Sequence, residues 1–134
     1  MRRLVIGLGF RDEASAQSIA EVVAQIAAHA VMPGVASVIA VPEDKAVHPS
    51  LVAAARATHL QIETVAADAM RQVDAQVATR SEQVEKHRGV GCVCEAAALA
   101  AAGAGARLVV TRMVSADRHA AAAAAAAFIK DFAP

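Results

Sequence analysis

Hydrophobic and polar positions fall into short blocks that alternate between two spacings. Residues 4–8 form an unbroken apolar run of strand length, and Gly7-Leu8-Gly9-Phe10 is expected to close it as a turn. Within residues 14–30, Ile19, Val22, Val23, Ile26 and Ala27 share one face at helical spacing, with Ser15 as the expected N-cap. Met32-Pro33-Gly34 stops that helix. Residues 35–41 are apolar and partly β-branched, so they read as a second buried strand, ended by Pro42. Pro49 introduces a helix over residues 50–58. Residues 60–65 read as a third strand and 67–76 as a short helix. A polar stretch runs from 79 to 88. A helix then covers 93–102, ended by Gly103 and Gly105, and a fourth strand covers 106–112.

Strands alternating with helices across short links predict an α/β fold. The expectation is a single compact domain over residues 1–134, with a mostly parallel sheet flanked by helices. Ligands of such sheets lie beyond the carboxyl ends of the strands. The Gly7 to Arg11 segment occupies one such end. The Gly89-Val90-Gly91 turn is expected on the same side, at a helix start. The last apolar block reads two ways. Eight consecutive alanines, Ala120–Ala127, ask for a helix by propensity, yet a short apolar run after Val114-Ser115-Ala116-Asp117 also suits an edge strand.

Composition narrows the function classes. The chain has 134 residues, 57% of them hydrophobic, which suits a globular domain with one core. No stretch of about 18 uncharged apolar residues is present, so no membrane span is expected. The N-terminus lacks a cleavage-site pattern, which by default implies a cytoplasmic location. Thirteen basic residues balance thirteen acidic ones, which argues against nucleic acid. Aromatic content is 2%, with no Trp or Tyr, so base-stacking platforms are missing too. Any anion must be held by a local cluster.

The strongest such cluster lies between Glu85 and Leu99. Lys86, His87 and Arg88 run into Gly89-Val90-Gly91, which opens onto an alanine-rich helix. A helix N-terminus presents unpaired N–H groups and partial positive charge. Ser81 and Glu85, four apart, share a face if their segment is helical, and Ser81, Glu82 and Glu85 would cap and solvate it. Glu95 and His87 are the candidate catalytic residues. Glu95 could exchange protons or complement the helix N-terminus, the second being the better single-residue reading; His87 could shuttle protons or bind a carboxylate. Arg11 offers forked pairing to a carboxylate, with a solvated surface arginine as the plain alternative.

Other patterns carry less. Gly7-x-Gly9 lacks the third glycine of a dinucleotide fingerprint, and Glu43 and Asp44 stand in no clear ribose-binding context, so a turn whose backbone approaches a ligand is preferred. His29, His48, His59 and His119 lack metal-ligand spacing, and no nucleophile elbow is present. Cys92 and Cys94 would close too tight a ring for an ordinary structural disulfide, and no second pair completes a zinc site. They read as small buried residues at a helix start, where a lowered thiol pKa leaves reactivity open. Neither a metal nor a cofactor is expected.

The blocks Gly7-Leu8-Gly9-Phe10-Arg11 with Ala14-Ser15, and Ser81-Glu82-x-Val84-Glu85-Lys86-x-x-Gly89-Val90-Gly91-x-Val93-x-Glu95-Ala96-Ala97-Ala98-Leu99, resemble one family over nearly the whole chain. It comprises CobE and the C-terminal domain of CbiG, proteins of cobalamin biosynthesis. The resemblance implies a compact α/β domain that binds, and carries or processes, a polycarboxylate corrin precursor. The ligand-binding positions it suggests are Gly7, Gly9, Phe10, Arg11, Ser15, Lys86, Arg88, Gly89, Val90, Gly91, Cys92 and Arg112. The alternative is a hydrolase or lyase acting on a precorrin lactone, as in cobalt-precorrin-5A hydrolase, of which this chain resembles only the C-terminal module. Other enzymes of the pathway are the implied protein partners. Arg112 stands where the family usually has lysine; an arginine is a poor amine nucleophile, which weakens Schiff-base chemistry. The family's last segment is a strand, so the resemblance favours a strand for Ala120–Ala127 against local propensity.

Overall fold

The structure, a computed structural model, describes residues 3–30 and 36–127. The elements follow in the order β1 (Arg3–Phe10), α1 (Ala16–His29), β2 (Ala36–Pro42), α2 (Pro49–Thr58), β3 (Gln61–Val65), α3 (Ala67–Gln72), α4 (Glu82–Arg88), α5 (Val93–Ala102), β4 (Ala106–Val114) and β5 (Ala120–Ala127). Short 3-10 turns cover Glu43–Lys45 and Asp74–Gln76, so the helix expected over 67–76 is split at Val73. The Met32-Pro33-Gly34 helix stop lies outside the described residues.

One five-stranded sheet runs β3-β2-β1-β5-β4. The β1–β2 and β2–β3 pairings are parallel, as the alternation of strands and helices requires. The β1–β5 and β4–β5 pairings are antiparallel, so the α/β sheet is mixed, parallel at its β3-β2-β1 end. The five-residue link between β4 and β5 accounts for the antiparallel pairing of those two strands. A hairpin can join only antiparallel neighbours, whereas a parallel pair needs a long crossover.

The strand period of two divides the core between the two faces of the sheet. Leu4, Ile6, Leu8, Ile39 and Val41 pack with Ile19, Val22, Val23 and Ile26 of α1 and Leu51 of α2. Val5 and Ala40 face the other way, against Ala97, Ala98 and Leu99 of α5 and Met70 of α3. Ser15 caps α1, its hydroxyl accepting from the Ser18 amide at 3.0 Å.

Two features of this core differ from local propensity. Gly7 and Gly9 lie inside β1, not in a turn after it. A side chain at Gly7 would put a Cβ 1.9 Å from the Cys94 carbonyl oxygen and 2.6 Å from the Ala98 nitrogen. Glycine is there because α5 crosses β1 backbone to backbone. The run Ala120–Ala127 is a strand despite its helix propensity, and it is central rather than at the edge, between β1 and β4. Its side chains alternate between the two cores, with Ala122 and Ala124 against α1 and Ala123 and Ala125 against α5. A strand covered on both faces accepts small apolar residues where helices sit close, and tertiary packing overrides intrinsic preference.

Candidate functional site

A cleft of ≈ 770 Å³ opens beyond the carboxyl ends of β1 and β2. Gly9, Phe10 and Arg11 form its β1 wall, and Pro42 and Lys45 continue it from β2. The opposite wall comes from α4 and the start of α5, the rim from Arg112 of β4 and from Arg118 and His119 of the β4–β5 turn. The Gly-Val-Gly turn and the end of β1 therefore meet on one side of the sheet, as expected. Among the described residues no Asp or Glu lines the cleft, while Arg11, Lys45, Arg80, Arg88, Arg112 and Arg118 all do. In a chain of zero net charge, that gathers six cationic side chains in one place, three of them paired with acids outside the lining.

These cations divide by partner. Lys45 pairs with Asp12 at 2.6 Å and its Nζ lies 5.1 Å from the centre of the Phe10 ring. Arg88 makes a forked pair with Asp44 at 2.7 and 2.9 Å, which holds the Asp44 carboxyl below its ordinary range. Arg80 is held by Asp74 at 2.8 Å and by Glu85. The guanidinium groups of Arg11, Arg112 and Arg118 make no hydrogen bond or ion pair among the described residues. All three are exposed and rest on three different parts of the sheet. They are the groups open to an incoming anion.

The junction from α4 to α5 is built to stay fixed. Ser81 caps α4, accepting from the Val84 amide at 3.4 Å. Gly89 ends that helix with φ +73, a left-handed conformation that glycine adopts without strain. Val90 is fully buried. The Gly91 amide donates to Asp74 Oδ1 at 2.7 Å, and its carbonyl accepts from the Ser81 amide at 2.8 Å. Cys92 then takes the N-cap position of α5 without a side-chain capping bond, and the helix's first residues, Val93 and Cys94, line the cleft.

Glu95 lies within the core rather than in the cleft. Its carboxylate is completely buried and absent from the cleft lining. Oε1 accepts from the Ala78 and Thr79 amides, each at 2.8 Å, and Oε2 from the Thr79 hydroxyl at 3.0 Å and the Arg112 amide at 2.9 Å. Four donors saturate a carboxylate, so it joins the loop before α4 to β4 and leaves no oxygen for a substrate proton. His87, the other catalytic candidate, does line the cleft.

Gly9, Phe10, Arg11, Arg88, Gly91, Cys92 and Arg112 thus line the cleft, whereas Gly7, Ser15, Lys86, Gly89 and Val90 do not. Gly7 lies under α5, Ser15 is a helix cap, Lys86 is exposed at the end of α4, and Gly89 and Val90 shape the turn. Arg118 and His119 were not expected. They are brought over the cleft by a hairpin visible only once β5 is known to be a strand.

That hairpin is tightly held. Asp117 accepts from the Ser115 hydroxyl at 2.7 Å, from the His119 amide at 3.0 Å and from the Ser18 hydroxyl of α1. These bonds, that from Ser18 foremost, push the Asp117 carboxyl well below its usual range. Arg118 sits next to it at φ 66.

On the floor of the cleft the Cys92 and Cys94 sulfurs are 3.6 Å apart. The contact with Cys94, and then the Glu95 amide, lower the Cys92 pKa; the contact with Cys92 and burial raise that of Cys94 well above its ordinary value. Among the described residues no cluster of three or more His, Cys, Asp or Glu could hold a metal ion, and no helix is long and apolar enough to cross a membrane.

Fold and cleft together define an α/β domain with a cleft lined by cationic side chains at a sheet end. The family of the cobalamin synthesis G C-terminus matches residues 4–127, and the chain belongs to it. Two solved structures are similar. One is cobalamin biosynthesis protein chiG from Agrobacterium tumefaciens strain C58, 36% identical, with 91% of this chain and 96% of that one covered and a TM-score of 0.67. The other is CobE, a protein from the cobalamin (vitamin B12) biosynthetic pathway, 22% identical, with 95% and 92% covered and a TM-score of 0.79; at that identity the likeness speaks to the fold. Comparison with curated proteins returned no match.

Proposed function

We propose that this protein binds a polycarboxylate corrin precursor in its cleft and holds it for the next enzyme of cobalamin biosynthesis. The observation that carries this reading is a cleft with six Lys and Arg side chains, no acid, and three guanidinium groups without a partner among the described residues. Corrin precursors carry carboxylates around a large apolar ring. Separated arginines suit the carboxylates. Phe10, Val84, Val93 and Ala120 give the ring apolar surface. A volume of ≈ 770 Å³ lies within the ~300–1,000 Å³ typical of small-molecule sites. The open side leaves room for a macrocycle to project into solvent. Family membership supplies the pathway.

Binding is favoured over lactone hydrolysis by the state of the acid–base groups. Glu95 lies outside the cleft and is consumed by four hydrogen bonds, and among the described residues no carboxylate lines the cleft, which leaves His87 as the remaining acid–base candidate there. Titration of the protein with a corrin precursor bearing free side-chain carboxylates, followed by visible absorption and calorimetry, tests the reading. Saturable binding is expected, and a fully amidated corrinoid should bind far more weakly. Absence of any spectral or heat change at high micromolar precursor would overturn it. Turnover of a lactone-bearing precursor by the isolated chain would replace it with hydrolysis.

A further inference from the structure

We infer that Cys92 and Cys94 form a reactive dithiol, with Cys92 as the attacking sulfur and Cys94 as the resolving one, that exchanges with small-molecule disulfides. Three observations support this beyond the corrin reading. The sulfurs are 3.6 Å apart, so closure needs only a small movement of two side chains. Both residues line the cleft floor and are only 4% and 2% exposed, so the cleft is the route by which a disulfide would reach them. Cys92 stands at the N-cap position of α5, where the contact with Cys94 and then the Glu95 amide favour a thiolate against the opposing effects of burial and the Glu95 charge. Cys94, more deeply placed, remains the protonated partner.

The chemistry balances with one disulfide reagent. The Cys92 thiolate attacks one sulfur of RSSR; the S–S bond breaks and RS⁻ leaves, taking up a proton. Cys94 then attacks Cys92 Sγ and expels the second RS⁻, which carries away the proton Cys94 gives up. The protein loses two protons and two electrons, which are the two hydrogen atoms the reagent gains as it becomes two thiols. The small ring formed across a single intervening residue makes this a reversible bond rather than a structural one. Its site is the start of α5, so the oxidised and reduced forms present different floors to the cleft.

The test uses the folded full chain and oxidised glutathione, with acid quenching and intact-mass measurement. The expected product lacks the mass of two hydrogen atoms, carries no lasting glutathione, and returns to the starting mass with dithiothreitol. Cys94→Ser should retain one glutathione on Cys92, and Cys92→Ser should stay unmodified while folded. The proposal is overturned if the wild type keeps both thiols while folded yet reacts in denaturant, or accumulates a stable adduct without closure. The wild-type pair of conditions decides the matter even if a serine variant fails to fold. Loss of corrin binding would leave this result untouched, and the reverse also holds.

Discussion

The buried carboxylate of Glu95 lies 2.9 Å from the backbone nitrogen of Arg112, joining the helix that starts at the cleft to the strand that carries one of its unpartnered arginines. The same carboxylate holds the loop at Ala78 and Thr79. An amide in its place turns an NH₂ group toward backbone donors. Glu95→Gln should therefore lose about 1–3 kcal/mol of stability, the cost of an unsatisfied buried polar group. Urea unfolding measures it. Wild-type stability in this variant would return Glu95 to the list of groups free for chemistry.

Close crossing of α5 over β1 gives a second test. At Gly7 the added Cβ would meet backbone atoms, the Cys94 oxygen at 1.9 Å and the Ala98 nitrogen at 2.6 Å, and neither can swing aside. Gly7→Ala should cost about 3 kcal/mol, the upper part of the range for overpacking. At Gly9 the nearest atoms are Val93 side-chain carbons at 3.4 Å, an ordinary contact. Gly9→Ala should stay within about 1 kcal/mol of the wild type. Equal melting temperatures for the two variants would show that α5 does not sit on β1 as described.

How much of this was legible in the sequence follows from which forces act locally. The start of α1 at Ser15, the span of α5 and the strand at residues 4–8 follow from capping residues and apolar periodicity, which are local. The Gly7-x-Gly9 pair was visible but was expected to form a turn. A glycine that admits a helix looks the same in one dimension as a glycine that turns the chain. Ala120–Ala127 defeats propensity because its conformation is decided by two strands and two helix layers far away in sequence. The site was half legible. Arg11 and the Gly-Val-Gly junction stand out, whereas Arg118 and His119 reach the cleft only through the β4–β5 hairpin. The four donors that hold Glu95 come from residues 16 or more positions away, so which groups take up its carboxylate is not visible locally.

The three unpartnered arginines make a graded prediction for binding. Arg11→Ala, Arg112→Ala and Arg118→Ala should each weaken affinity for the carboxylate-bearing precursor by about 1.5–3 kcal/mol, the worth of a hydrogen bond to a charged group. Stability should hold within about 0.5 kcal/mol, because exposed side chains without a partner contribute little. Lys86→Ala, which removes an exposed charge off the cleft lining, is the control and should leave affinity nearly unchanged. Added salt should weaken wild-type binding more than that of the arginine variants, since screening acts on the charges they lack. Calorimetry at two ionic strengths reads both effects, and equal losses in all four variants would point to general charge rather than the three positions.

Asp117 ties pH to the rim of the cleft. Its folded pKa lies well below the ordinary value, through bonds from Ser18, Ser115 and the His119 amide. For a depressed carboxylate the stabilisation is fully present above the unfolded pKa, about 3.9, and is lost as pH falls through the folded one. Wild-type melting temperature should therefore drop as the solution is acidified below about pH 5. Asp12, Asp44 and Asp74 have lowered pKa values too, so that drop is shared among them. Asp117→Asn isolates one contribution. The amide presents a donor where the turn offers only donors at that oxygen, so the variant should melt lower at neutral pH and converge toward the wild type in acid. The difference between the two melting curves, recorded from pH 7 to 2, measures this directly. A constant gap across that range would mean that the Asp117 carboxyl titrates alike in the folded and unfolded chain, and that the hairpin carrying Arg118 is held by something other than this charge.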